Sequence, residues 1–336
     1  MLFQSNLCAH AWAPFATSIT MATVAAILSI ITVPGNLLIC WAVIWNPTRN
    51  LKSPFNYLVL NLAIADLIIG AVTEPVFVGY HLREALKHQV SGLRWVVYMS
   101  YFMSSTASVL STVALAINRY QVTSNNLTQQ WKLTSVVATS ALLWLFCLGL
   151  PLLYFAVGFY KLAFIFANAA VVVSIVVLVF VYHRIYRYLR RHGKKTEHIR
   201  SSSEQEKRVK QEEKMTTSFL LIIISFLTFA VPSLVMIYVI NLCNSCSCVL
   251  IHWFRDLQYQ FLLINSASNQ FLYAWRMRSF RKAFQTIPAI QWAARKLGKS
   301  RDHVMSLQLD GQVAAVEEVP KKNALLSAST NRKVRK

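Results

Sequence analysis

Asp66 is a carboxylate set in the apolar run N-L-A-I-A-D-L-I-I-G. An ionisable group at bilayer depth is costly and marks a functional site by default. Ser108 on one later apolar stretch and Asn265 and Asn269 on another are its expected neighbours. One carboxylate with hydroxyls, amides and waters makes a hard-oxygen site suited to a small cation. The plainer alternative is a neutral acid hydrogen-bonded to its surroundings. A second group is Arg119, which ends the apolar stretch from Ser104 to Gln121. A guanidinium does not shed its charge, so it sits at the edge of an apolar layer or finds a partner there. Glu212 is that expected partner. As a solvated surface pair the two would contribute about 0–1 kcal/mol. Half-buried, they form a latch between two helices.

Glu74 lies about two helical turns beyond Asp66 and could face a ligand cavity ringed by Tyr101, Phe102, Tyr238 and Tyr259. Four cysteines, Cys8, Cys243, Cys246 and Cys248, fall on one expected side of the membrane. A C-x-x-C-x-C run with one distant cysteine is a poor zinc signature, so disulfides are expected, with their pairing open. No H-E-x-x-H, G-x-S-x-G or phosphate-binding glycine loop is present, so an enzyme reading has no foothold.

Those residues are positioned by apolar blocks. The chain has 336 residues, 55% hydrophobic and 14% charged, with a mean hydropathy of +0.44. Blocks of about 20 residues or more match the span of a bilayer. Crossings are expected at 17–45, 54–80, 95–123, 133–154, 162–190, 213–240 and 254–275. Residues 276–286 read as a short amphipathic helix on the inner face, with Met277, Phe280 and Phe284 at helical spacing. Residues 1–16 read as an extracellular segment and 287–336 as a cytoplasmic tail without periodicity. The fold class is therefore an all-α seven-helix membrane bundle.

The net charge of +21 is carried mainly by alternate gaps, around Arg49 and Lys52, from Arg184 to Lys214, and after Arg276. That asymmetry puts the N-terminus outside and the C-terminus in the cytosol. It also explains the charge by attraction to anionic inner-leaflet lipid, without nucleic acid. The Asn126-Leu127-Thr128 triplet then lies in a cytosolic gap and stays unmodified.

In order and spacing the chain resembles a rhodopsin-like (class A) G-protein-coupled receptor over 17–286. The marks are Gly35-Asn36, Leu62-Ala63-x-Ala65-Asp66, Ser108, Arg119-Tyr120, Trp144 and Tyr182. Glu212, Phe226, Pro232, Asn265, Asn269-x-x-x-Tyr273 and Phe280-Arg281-Lys282-x-Phe284 continue the series. The resemblance implies a sodium site at Asp66, Ser108, Asn265 and Asn269, with no other cofactor. It also implies a switch in which Arg119, Tyr120, Tyr182 and Tyr273 rearrange to admit a G protein, and Glu212 holds Arg119 at rest.

The departures are specific. Asn118 replaces the acid before the arginine, Ala230 a tryptophan, Gln270 and Ser174 two prolines, and Arg94 the usual outer cysteine. The missing outer cysteine, the short second outer loop, the absent helix-5 proline and the cysteine-rich third outer loop resemble the melanocortin, adenosine and cannabinoid grouping. The nearest look is to melanocortin receptors, although Arg94 and Tyr98 replace the acids those carry on helix 3. Tyr101 stands where amine receptors carry an aspartate, and Leu263 where opsins carry the retinal lysine. The resemblance thus implies a plasma-membrane receptor for an extracellular peptide, lipid or nucleoside-like ligand. Its cytoplasmic partners would be a heterotrimeric G protein and, as a further candidate, arrestin. Two rivals stand beside it: a transporter or channel using Asp66 and Glu74 as an ion path, and a seven-helix scaffold that does not couple.

Overall fold

The computed structural model describes residues 8, 11–47, 51–124, 131–157, 159–195, 203–243 and 245–287. Among them are eight helices and no strand. Helix α1 is Phe15–Trp45 and α2 is Pro54–Ala85. Helix α3 is Ser91–Ser124, and α4 is Leu133–Val157 with a 3-10 turn at Leu150–Leu152. Helix α5 runs through Phe159–Phe166, Ala167–Val172 and Val173–Lys195. Helices α6, α7 and α8 are Ser203–Leu242, Cys248–Arg276 and Arg278–Phe284.

Local chemistry sets several ends. Ser53 caps α2 by accepting from Asn56 N–H at 3.2 Å, with Pro54 in the first turn, where its missing N–H is harmless. Ser247 caps α7 in the same way, accepting from Leu250 N–H. Asn46 closes α1 in the left-handed region at φ 45°, its N–H bonded to Ala42 O. Met277 is extended, which separates α7 from α8.

Six helices are long and apolar enough to cross a bilayer. The seventh, α7, is 29 residues long, but buried Asp256, Gln258, Gln260, Asn265 and Asn269 interrupt its apolar character. The bundle is apolar outside as well as within: Ile30, Trp45, Leu142 and Phe155 are all exposed. That arrangement suits lipid rather than water. Helix α3 is the axis, with 78% of its spanning window buried against 22% for α4. It carries a column of buried serines and threonines, several of which, such as Ser104, Thr106 and Ser111, bond back to their own helix carbonyls.

The helices run beyond the apolar blocks. Helix α2 passes Tyr80 to Ala85, and α6 starts at Ser203 rather than Glu213, giving a single helix of 40 residues. The added turns of α6 are rich in Glu, Lys, Arg and Gln, strong helix formers that need no hydrocarbon around them. A π turn at Ile69–Thr73 interrupts α2, and another at Ala167–Val172 interrupts α5. At Gly70, the Ser29 hydroxyl donates to the carbonyl at 2.7 Å, and a Cβ would sit 2.9 Å from Thr32. Close approach of α1 therefore requires glycine there.

All of these helices, up to Ala283, belong to one compact unit. A second unit begins at Phe284; its described part is a short turn in which Ile287 N–H bonds to Phe284 O. The tail from 288 onward lies outside the described residues, as do Arg49 and the Asn126-Leu127-Thr128 triplet.

Candidate functional site: a polar spine between two ends of the bundle

The middle of the bundle is organised on Asp66, which is fully buried. One carboxylate oxygen accepts from Ser108 Oγ of α3 at 2.8 Å, the other from Asn269 Nδ2 of α7 at 2.9 Å. Asp66 thus ties α2 to both α3 and α7. Asn265 is buried too, but its Oδ1 has no hydrogen-bond partner among the described residues, and it does not bond Asp66. One turn before Asp66, Asn61 donates to Ser111 Oγ at 2.8 Å and accepts from Trp144 Nε1 at 3.0 Å, joining α2, α3 and α4.

Glu74 faces elsewhere. The π turn inserts an extra residue between it and Asp66 and rotates it toward α1. There Thr32 Oγ1 lies 3.4 Å from its Oε1, while Oε2 is buried without a partner among the described residues. Tyr101, Phe102 and Tyr259 do come together. Tyr101 meets Tyr259 edge-on at 4.3 Å, Tyr259 meets Phe77 at 5.0 Å, and Phe102 meets Phe166 of α5 at 5.3 Å. This aromatic layer links α2, α3, α5 and α7. Tyr238 instead joins α6 to α5, donating to Asn168 Oδ1 with its ring 5.4 Å from Phe164.

At the opposite end, Arg119 is buried with its Cζ 3.7 Å from the centroid of the Phe55 ring. Phe55 in turn meets Phe219 of α6 edge-on at 6.5 Å. A guanidinium over an aromatic face is worth about 0.5–2 kcal/mol, so Phe55 is a restraint on Arg119 that sequence reasoning missed. The Glu212 side chain lies outside the described residues. Tyr120 packs on Phe180 of α5, and Tyr182 stacks on Tyr186. Tyr273 is fully buried beside Phe280, its hydroxyl without a hydrogen-bond partner among the described residues.

Gln270 has its own structural role. It donates to Ile31 O at 2.8 Å and lies where a Cβ on Gly35 would reach, 1.7 Å from its Oε1. Gly35, with no side chain, leaves room on α1 for this side chain of α7, next to Pro34, whose missing N–H leaves the turn one bond short.

The disulfide-bearing end holds a cluster absent from the sequence reading. Arg255 of α7 bonds Glu84 Oε1 of α2 at 3.0 Å and both oxygens of its neighbour Asp256, at 2.6 and 3.0 Å. Glu84 Oε2 accepts from Ser18 of α1 at 2.9 Å and lies 3.0 Å from His81 Nδ1. The helical i, i+3 spacing of His81 and Glu84 was the available clue. Cys8 is bonded to Cys248 and Cys243 to Cys246. His252 Nε2 meets Ala11 O at 3.0 Å, so the N-terminal segment is fastened twice to the start of α7.

Residues 35–162 match the family model described as 7 transmembrane receptor (rhodopsin family). The chain is also 27% identical to adenosine receptor A2a of Homo sapiens over 310 residues, covering 82% of this chain and 73% of that one. With the helical bundle already described, these likenesses point one way. The chain is similar to the rhodopsin family of G-protein-coupled receptors. The adenosine receptor A2a of Canis lupus familiaris is likewise 27% identical, over 303 residues, covering 79% of this receptor and 71% of that one. Adenosine receptor A2b of Gallus gallus is 32% identical over 95 residues, which cover 28% of the chain and 26% of that protein. The receptor is accordingly a multi-pass membrane protein and not an enzyme.

Proposed function

We propose that this receptor takes a nucleoside-like ligand at the disulfide-bearing end, oriented outside the cell at the plasma membrane, and activates a heterotrimeric G protein at the Arg119 end. One observation carries the proposal: α3 and α7 are connected twice. The Tyr101–Tyr259 contact joins them at one level and the Asp66 bonds to Ser108 and Asn269 join them at the next. A ligand that changes the first contact has differential affinity for two arrangements of the second, which is what a population shift requires.

The aromatic layer suits a planar heterocycle, since offset and edge-on ring contacts contribute about 0.5–1.5 kcal/mol each. The relatives named for adenosine support the same ligand class. Sodium at Asp66 favours the resting arrangement. Activation frees Arg119 from Phe55, parts Phe55 from Phe219 and gives the Tyr273 hydroxyl a partner. Glu212 adds to the resting latch, while anionic lipid attracts the basic cytoplasmic segments and arrestin competes for the same open end.

The test is receptor reconstituted in lipid vesicles with a panel of G proteins, presented with adenosine and other nucleosides. Ligand-dependent nucleotide exchange is expected. Nucleoside uptake or a current through the vesicle without exchange would favour the transporter or channel instead.

A further inference from the structure

His81 and Glu84 on α2 and Asp256 on α7 are all buried, and one donor atom from each lies within 4.8 Å of the others. Two carboxylates face a single guanidinium, so the cluster carries one excess negative charge before His81 is counted. A buried excess charge is costly unless a cation offsets it. Nor is the imidazole used up: Nδ1 meets Glu84, but Nε2 is buried with no hydrogen-bond partner among the described residues.

We propose that His81, Glu84 and Asp256 form a binding site for a zinc-class divalent cation that fastens α2 to α7. One imidazole nitrogen with two carboxylate oxygens is a donor set for zinc, leaving the fourth tetrahedral position to water or a ligand group. Calcium and magnesium prefer six or more oxygens and are poorly served. Thiolates do not contribute, because the four cysteines at this end are paired as disulfides.

Arg255 need not leave. It holds Glu84 through Oε1, whereas Oε2 is the oxygen facing His81 and Ser18. Each carboxylate oxygen has two lone-pair directions, so guanidinium and metal can share the two acids. In that arrangement Arg255 and Ser18 act as outer partners that orient the ligands.

The experiment uses the full-length receptor in nanodiscs, stripped with chelator and titrated with zinc chloride alone while thermal unfolding is followed. Zinc should raise the unfolding temperature saturably, and magnesium at equal concentration should not. His81→Ala and Asp256→Asn should each weaken zinc binding at least about tenfold. His252→Ala, at the nearby imidazole bonded to Ala11, should leave it unchanged. Should a ligand variant fail to fold, cobalt on the wild-type chain decides. Visible d–d bands without thiolate absorption, displaced by zinc, support the site. Absence of saturable binding overturns the proposal, as does unchanged affinity in both ligand variants or a loss confined to His252→Ala.

Discussion

Replacing Arg255 with methionine removes the charge while keeping most of the side-chain volume, and leaves Glu84 and Asp256 facing each other in a largely buried place. Arg255 makes three charge-assisted bonds, at 3.0, 2.6 and 3.0 Å. At about 1.5–3 kcal/mol each, their sum would exceed what the site can lose, because both acids can regain water near the end of the bundle. The measured cost of breaking one side of a buried ion pair, about 3–5 kcal/mol, is the better figure. A companion variant, Arg255→Met with Glu84→Gln and Asp256→Asn, removes all three charges and should be more stable than Arg255→Met alone. Thermal unfolding of the full-length receptor in detergent, with disulfides kept oxidised, reads both. The single variant should lose several degrees, with the triple variant recovering part of the loss. A single variant within about a degree of wild type, or a triple variant less stable than the single, refutes the argument that this cluster holds α1, α2 and α7 together.

Gly35→Ala forces Gln270 off Ile31 and should cost about 1–3 kcal/mol, checked by thermal unfolding; equal or higher stability contradicts the packing described. Asp66→Asn should abolish the sodium dependence of nucleoside affinity, measured by competition binding with and without sodium, and an unchanged sodium effect sinks the cation reading. Peptide mapping of the unreduced receptor should recover Cys8 joined to Cys248 and Cys243 joined to Cys246; a peptide joining Cys8 to Cys243 contradicts the fold at that end.

The helices were legible because blocks of apolar residues at bilayer length leave few alternatives. Ser108 and Asn269 were readable beside Asp66 because a carboxylate in hydrocarbon needs donors and both stand at the positions that the receptor resemblance marks. What stayed hidden was long-range. Glu84 and Arg255 are 171 residues apart, and each reads singly as a charge at a helix end. The pairing Cys8–Cys248 spans 240 residues and is one of several that sequence allows. The π turn that rotates Glu74 toward Thr32 has no reliable sequence mark, so helical counting from Asp66 aimed that side chain at the aromatic layer. In sequence Phe55 is one residue of an apolar block, and its place under Arg119 follows only from how α2 and α3 cross.

Ligand-stimulated nucleotide exchange by wild type and by Arg119→Ala, in parallel with nucleoside binding to both, tests most directly whether one end of this bundle governs the other. Wild type should exchange on adding the nucleoside, while the variant binds it, reaches the cell surface and fails to exchange. Full exchange by Arg119→Ala would contradict the account.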